Sequence, residues 1–308
     1  MTIAGETNHR TDINPCADRQ ALAGRTAVRS ADTLVFAPTY NEGQSIGLML
    51  EQLLALPEQF DVLIVDDGSN DGTQAAIAEH AARDPRVRLL DRGMKRGIGS
   101  AHRLAWLHAR RLGYARIVTL DADLSHDPAD IPRLLAAIDA GADVAIGSRF
   151  APGGRLDYSG WRLFVSRLAN SLARSVLRLP VREYTTSLRA VRLDRVPPGL
   201  VESMAKDGYS FFVTCMVYFA RCGLKITEIP IHFHDRHSGE SKLPPFEILR
   251  GAGNLMQLAI DRRPPSPLAL LPQPDCDCPH CLKPYRVRTE DGGVRCLGCS
   301  GSGSEGAA

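Results

Sequence analysis

Five short β-type runs, LVFA (34–37), VLIV (62–65), VRLL (87–90), IVTL (117–120) and VAIG (144–147), alternate with stretches whose apolar residues recur at helical spacing. Those stretches are IGLMLEQLLAL, TQAAIAEHAAR, IGSAHRLAWLHARRL and IPRLLAAIDA. Few folds accept this alternation. Runs too apolar to face water on either side need helices over both faces, and a helix between two strands returns the chain parallel to its start. The predicted class is therefore α/β, with a mainly parallel central sheet flanked by helices.

A helical pattern at 161–178, the strand-like LKITEIPIHF (224–233) and a further helix near 246–260 extend this unit, so one domain is predicted over residues 32–262. Residues 1–31 are polar and aperiodic and read as a disordered tail. Five prolines between 264 and 274 mark 263–275 as an extended linker, followed by a cysteine module at 276–300 and a flexible tail at 301–308. With 44% apolar and 23% charged residues in 308, the chain is too apolar for disorder throughout and long enough for one large domain with a small appendage. A net charge of +2 gives no bulk attraction to nucleic acid, which is not expected as a partner. The N-terminal stretch has no apolar core behind a basic start, so a cytoplasmic location is expected. No apolar run approaches the roughly 18 residues that span a bilayer, so any membrane contact is expected to be peripheral.

In open sheets of this kind ligands gather beyond the carboxyl ends of the strands, where loops and helix N-termini converge. Four predicted strands run into polar loops there. LVFA leads to Pro38, Thr39, Tyr40, Asn41 and Glu42, VLIV to Asp66, Asp67, Gly68 and Ser69, IVTL to Asp121, Ala122 and Asp123, and VAIG to Ser148 and Arg149. Two residues apart in extended chain is the same face, so Asp121 and Asp123 look into one cleft. Paired carboxylates repel unless something positive lies beside them, and a divalent cation carrying phosphate oxygens is the usual solution. The alternative is that both are solvated or cap the following helix. A dinucleotide fold is disfavoured, because PTYNEG follows the first strand, Gly93, Gly97 and Gly99 are wrongly spaced, and no G-x-x-x-x-G-K-[ST] occurs. A phosphatase of the haloacid-dehalogenase type also carries Asp-x-Asp after a strand, usually its first; here the pair follows the fourth.

Taken together, PTYNE (38–42), IVDDGSNDGT (64–73), DADLSHDPADIP (121–132), GSRF (147–150) and DRHSGESKL (235–243) resemble the dolichol-phosphate mannosyltransferase group of the family 2 inverting glycosyltransferases. Order and spacing agree over residues 33–243. The resemblance implies a glycosyltransferase-A fold and metal-dependent, inverting transfer of a hexose from a nucleotide-sugar donor to a polyprenyl or dolichyl phosphate. GDP-mannose is the leading donor and UDP-glucose the alternative; rivals of other classes are an Asp-nucleophile phosphatase and a non-catalytic scaffold. By the same likeness Pro38, Tyr40, Glu42, Val65 and Asp67 hold the nucleoside, with Asp66 beside them. Asp121 and Asp123 carry Mg2+ or Mn2+ on the diphosphate and, with Arg149, count as catalytic. Ala122 lies against the donor, Ser125 takes a donor-contact position that is often Gln, and Arg236 and Lys242 reach the donor phosphates from a loop in which Gly239 suits a lid. Arg149, with Arg162 and Ser166 four residues apart, matches the acceptor-phosphate contacts. Apart from the resemblance, Pro38 and Tyr40 shape a turn, Asp66 and Asp67 cap a helix, Arg236 and Lys242 are surface charges, and Ser166 is a mid-helix hydroxyl bonded to its own backbone.

An acceptor phosphate is already anionic near neutral pH, so the reaction needs no strong general base, in keeping with the lack of an obvious catalytic histidine. YTTSLRA (184–190) stands where relatives tend to carry D-x-T-S-G-F, which leaves sugar and acceptor preference open. His232, His234 and His237 lie close together, two alternating on a predicted strand and the third in the lid, and are not expected to form a metal site. Leu163, Phe164, Leu168, Leu172 and Val176 fall at helical spacing among Arg162, Arg167, Arg174 and Arg178, a pattern suited to a membrane surface or to packing on the sheet.

Cys278 and Cys281, then Cys296 and Cys299 after fourteen residues, form C-x2-C-x14-C-x2-C, which resembles a zinc ribbon. Two thiolate pairs supply tetrahedral Zn2+ ligation, and so short a module can hardly fold without metal. Cys276 and His280 are substitute ligands. The ribbon's role is open among docking a protein partner, contacting nucleic acid and capping the domain, since Arg286, Arg288 and Arg295 are too few to choose. Cys16, Cys215 and Cys222 read as bland thiols, the last two on an apolar helix.

Overall fold

The computed structural model describes residues 29–201, 204, 209–235, 245–261, 286–288, 294–296 and 302–303. The expected alternation is present. Strands β1 (Thr33–Thr39), β2 (Asp61–Asp66), β3 (Val87–Asp91), β4 (Arg116–Thr119) and β5 (Val144–Ser148) are separated by helices α1 (Ile46–Leu54), α2 (Thr73–Arg83), α3 (Ile98–Arg111) and α4 (Ile131–Asp139). Then follow β6 (Arg155–Leu156), α5 (Gly160–Leu177), β7 (Arg189–Arg192), α6 (Tyr209–Arg221), β8 (Ile226–Pro230), β9 (His232–Phe233) and α7 (Pro245–Ile260).

Seven strands form one sheet in the order β3-β2-β1-β4-β7-β5-β8. All pairings are parallel except those of β7, which runs against both β4 and β5. Alternation along each strand divides the core into two layers. Leu34, Phe36, Leu63, Val65, Ile117 and Ile146 face α3, α6 and α7 through Leu104, Phe211 and Leu255. Val35, Ala37, Val62, Ile64, Val118 and Ala145 face α1, α2 and α4 through Met49, Ile77 and Leu134. In α4 the buried residues Ile131, Leu134, Leu135 and Ile138 recur at the helical period, so one stripe of the helix meets the sheet.

Three features depart from the sequence reading. The strand-like 224–233 run is two strands: β8 pairs with β5 up to Ser148 and Pro230, then the chain leaves the sheet and β9 pairs with β6, Arg155 opposite His232. The strand β7 was not anticipated, because RAVR is short and carries an arginine at each end. Ser30, inside the stretch read as a tail, donates its backbone N–H to buried Asp61 at 3.0 Å.

Residues 1–28 and the linker at 263–275 lie outside the described residues. So do Cys16, Arg236, His237, Gly239, Lys242, Cys276, Cys278, His280, Cys281 and Cys299. A three-stranded antiparallel sheet is described from the cysteine module into the stretch read as a flexible tail, β10 (Arg286–Arg288), β11 (Val294–Cys296) and, in that tail, β12 (Ser302–Gly303), with Cys296 closing the middle strand.

Candidate active site

From β1 the chain builds outward through β2 and β3, then α3 carries it back to β4 on the other side of β1. This reversal opens a crevice at the carboxyl ends of β1 and β4, the place where open α/β sheets receive ligands. Leu120 donates its N–H to Phe36 at 3.1 Å and so continues the β1–β4 ladder to the edge of the crevice. The loop Tyr40–Glu42 leaves β1 on one side and Asp121 follows β4 on the other. Pro38 pairs with Val65 in the β1–β2 register, which brings these two predicted nucleoside residues together.

Asp66 and Asp67 are both buried, and each carboxylate serves the protein. Asp66 accepts from Thr39 Oγ1 at 2.9 Å, Ser69 N at 2.8 Å, Ser69 Oγ at 2.5 Å and Gln74 Nε2 at 2.7 Å. It therefore locks the ends of β1 and β2 to the start of α2. Asp67 accepts from Arg92 Nε at 2.6 Å, and from the backbone N–H groups of Arg96 at 2.9 Å and Gly97 at 3.1 Å. Burial pulls the Arg92 guanidinium down, and Asp67 opposes that shift. Between the strand and this loop lies Gly68, with φ of 73°; a Cβ there would sit 2.7 Å from the Gly93 carbonyl carbon, so no other residue fits. The loop held by Asp67 carries Lys95, whose ammonium lies 4.2 Å from the centre of the Tyr40 ring. Glu42 accepts weakly from Ser45 Oγ at 3.3 Å, and its backbone N–H donates to Thr73 Oγ1 at 2.9 Å.

Across the crevice the Asp121 side chain is 32% exposed, while Asp123 is only 5% exposed. Asp123 Oδ1 accepts from Ser125 N at 3.0 Å and Ser125 Oγ at 2.6 Å. Between them Leu124 has φ of 60°, a left-handed conformation costly for leucine by about 1–3 kcal/mol, of the kind retained where surroundings over-determine it. Ala122 and Ser125 are buried. Two hard oxygen donors two residues apart, one partly exposed and one oriented by its own loop, fit a divalent cation of the Mg2+ or Mn2+ class.

Next to the pair stands a residue that sequence reasoning passed over. His126 is buried, its Nε2 3.7 Å from Asp121 Oδ2, its ring edge-on to Phe233 with centroids 5.0 Å apart. Its Nδ1 has no hydrogen-bond partner. Burial, then Arg149, lower its pKa to about 4 against the pull of Asp123 and Glu183, so the imidazole is neutral near pH 7. Only its position directly after Asp-x-Asp-x-Ser hinted at proximity.

Arg149 at the end of β5 forks onto Glu183, Nε to Oε2 and Nη2 to Oε1 at 2.8 Å each. Its Nη2 also donates to Thr185 Oγ1 at 3.1 Å, and its Nη1 to the Tyr158 phenol at 3.0 Å. The phenol lies 3.3 Å from Ser166 Oγ on α5. Two of the expected acceptor residues, Arg149 and Ser166, are thus joined through Tyr158, a residue the sequence did not single out. Burial raises the Glu183 carboxyl, but Arg149 and Thr185 more than offset this and hold it below the usual range. Glu183 stands one residue before the stretch beginning at Tyr184. Arg162 sits on α5, four residues before Ser166.

Residues 34–196 match the family described as Glycosyl transferase family 2, more than half of the 308 residues. The chain is 38% identical over 245 residues to a polyprenol monophosphomannose synthase of Mycolicibacterium smegmatis, covering 79% of this chain and 89% of that one. It is also 38% identical over 211 residues to an undecaprenyl-phosphate mannosyltransferase of Micrococcus luteus, covering 68% and 86%. Among solved structures, glucosyl-3-phosphoglycerate synthase from Mycobacterium tuberculosis in complex with Mn2+, UDP and glucosyl-3-phosphoglycerate superposes with a TM-score of 0.53 at 19% identity, over 86% of this chain and 90% of that one. That likeness bears on the fold alone, which is the expected glycosyltransferase-A arrangement. A crevice at the β1–β4 switch point lined by the PTYNE, DDGS and DADLS loops, together with these matches, leads to one conclusion: the chain is a glycosyltransferase and belongs to glycosyl transferase family 2.

Proposed function

We propose that this enzyme transfers mannose from GDP-mannose, with inversion, to a polyprenyl phosphate. The observation that carries the reading is the Asp121–Asp123 pair beyond β4, directly across the switch-point crevice from the Tyr40–Glu42 loop. The names of the two relatives, both lipid-phosphate mannose enzymes, support the sugar and the acceptor class.

In the proposed reaction an oxygen of the acceptor phosphate forms a bond to the anomeric carbon, and the bond from that carbon to the diphosphate breaks on the opposite face, its electron pair leaving with the nucleoside diphosphate. Pro38, Tyr40, Glu42, Val65 and Ala122 would surround the donor, with Asp66 and Asp67 shaping the loops that hold it. Ser125 orients Asp123, and Arg236 and Lys242 would add fixed positive charge at the diphosphate. Mg2+ or Mn2+ held by Asp121 and Asp123 would supply charge stabilisation to the departing diphosphate. Arg149, Arg162 and Ser166 would receive the acceptor phosphate, Arg149 being held for that task by Glu183 and Tyr158. Because the phosphate brings its own charge, no residue need remove a proton from it.

Among the described residues no helix is long and apolar enough to cross a membrane. On α5, Phe164 is 54% and Leu168 56% exposed, Leu172 is exposed too, and Arg167, Arg174 and Arg178 are exposed beside them. We assign this face to the cytoplasmic membrane surface, where a lipid acceptor and anionic headgroups would meet apolar and cationic side chains respectively. The cysteine module is proposed as a zinc ribbon on Cys278, Cys281, Cys296 and Cys299, serving to dock a protein.

The test uses labelled GDP-mannose and UDP-glucose with polyprenyl phosphate, with and without Mn2+. Metal-dependent formation of a mannosyl lipid is expected. Glucosyl lipid in its place would move the donor to UDP-glucose, and full activity after metal chelation would remove the cation from the site. Absence of transfer from either donor, with phosphatase turnover lost in Asp121→Asn, would overturn the reading. For the ribbon, Cys278→Ser with Cys281→Ser should cost one equivalent of bound zinc.

A further inference from the structure

Asp157, His232 and His234 converge on the side of the molecule where β6 pairs with β9. His232 and His234 are two residues apart on and just after β9 and therefore project from one face. Asp157 leaves β6 in register with them, its N–H donating to Phe233 O at 3.0 Å. The consequence is a single carboxylate facing two imidazoles: His232 Nε2 lies 2.5 Å from Oδ1, and His234 Nδ1 lies 3.0 Å from Oδ2. One ligand atom from each of the three lies within 4.8 Å of the others. The ring centroids are 4.2 Å apart.

We infer that Asp157, His232 and His234 form a second metal site, for a borderline divalent transition cation of the Zn2+ class, separate from the Asp121–Asp123 pair. Two imidazole nitrogens with one carboxylate oxygen are a donor set that suits Zn2+, Co2+ or Ni2+ and not Mg2+, which prefers oxygen alone. A Zn2+ ion bound at about 2.0–2.2 Å would set its ligands roughly 3.4 Å apart, so the three groups need only sub-ångström to ångström adjustments from their present separations. All three side chains are solvent-accessible, which leaves an entry path and room for water at the remaining positions. Backbone pairing on both strands already sets the direction of the three side chains, so binding need order little beyond their rotamers.

The site borders the catalytic loop. The His234 N–H donates to Ser125 O at 3.0 Å, and His126 bridges to Phe233. A cation tying Asp157 to the two histidines would clamp β6 to β9, and β9 meets the end of the DADLS loop through the His126–Phe233 bridge. The role inferred is structural, a pin on the ribbon that backs the loop carrying Asp123 and Ser125. It stands whether or not mannose is the sugar transferred.

The experiment is calorimetric titration of Zn2+ alone into the full chain stripped of metal by chelation, run alongside His232→Ala with His234→Ala, Asp157→Asn, and the Cys278→Ser with Cys281→Ser pair. The wild type should bind one equivalent more than the double histidine variant, and the cysteine pair should retain that equivalent. Asp157→Asn, which keeps the shape of the side chain, should weaken it by at least the roughly 10- to 100-fold that losing a supporting partner costs. With Cu2+ as probe, electron paramagnetic resonance should show nitrogen couplings from two imidazoles, absent in the double variant. Equal zinc stoichiometry in wild type and a double histidine variant that retains its circular dichroism spectrum would overturn the inference and leave an exposed ion-pair cluster of little energetic weight. Copper spectra without imidazole nitrogen coupling would do the same.

Discussion

Two pairs of aspartates close neighbouring loops at one rim of the sheet, and they are used in opposite ways. Asp66 and Asp67 end β2 with both carboxylates engaged by internal donors, four contacts to Asp66 and a guanidinium with two backbone N–H groups to Asp67. Asp121 and Asp123 follow β4 with Asp121 partly exposed and Asp123 turned by Ser125. Residue type and position near a strand end are the same in both; what differs is exposure, Asp67 being 6% exposed and the Asp121 side chain 32%. A carboxylate taken up by internal donors holds loops together, whereas one partly exposed at the rim of the sheet can reach a cation. The first pair builds the loops; the second is the pair we propose for the chemistry.

The contrast can be broken by substitution. Asp67→Ala leaves the buried Arg92 guanidinium without its carboxylate and should lower stability by about 3–5 kcal/mol, read as the urea midpoint; an unchanged midpoint would place Asp67 with the functional pair. Asp123→Ala should do the reverse, cutting transfer by roughly 10²- to 10³-fold, the cost of removing one charge-stabilising group, with the urea midpoint close to wild type. If unfolding and activity fall together in Asp123→Ala, the division of labour between the pairs fails. Glu183→Gln tests the third acid, which sits between these extremes. Loss of its charge-assisted fork to Arg149 should cost about 1.5–3 kcal/mol of stability and raise the KM for the acceptor more than that for the donor; equal effects on both would remove Arg149 from the acceptor side.

A further expected effect concerns pH and vanishes at neutrality. His102 is buried among Phe36, Phe211 and Phe212, and burial, with nearby arginines, lowers its pKa to about 3. This folded value lies below the unfolded one near 6.5, so the unfolded chain takes up the proton first as pH falls. The His102 contribution to stability is complete above about pH 6.5 and is lost progressively toward about 3, at up to about 1.4 kcal/mol per pH unit. His108, lowered to about 4 chiefly by burial, acts in the same direction. Urea midpoints measured from neutral pH downward should flatten in His102→Phe; an unaltered slope would show that His102 is already charged in the folded chain.

Much of the fold was legible because the period of the apolar residues is a local property. Strands β1 to β5 and their helices follow from it, and so does the rim, since strand ends carry the loops. The elements that were missed are those without a local pattern. The strand β7 is held in place by its neighbours, with Ala190 paired to both Val118 and Ala145, and its Arg189 is buried against the carbonyls of Tyr184, Thr186 and Phe212. The switch of 224–233 from β8 to β9 depends on β6, a two-residue strand with no signal of its own. At the site, Tyr158, Glu183 and His126 carry no motif outside the matched blocks or the roles assigned to them; each gains meaning from what lies across the chain.

By itself the sequence determined the layered α/β scaffold, the rim at which polar loops collect and the candidate residues on it, because periodicity, loop chemistry and motif spacing are written in neighbouring residues. Only the tertiary structure decided which acids are consumed internally, which arginine is tied to Glu183, and that Asp157 meets His232 and His234. Those outcomes depend on distances between residues up to 77 apart in the chain, and hydrogen bonds and metal ligation are decided by such distances.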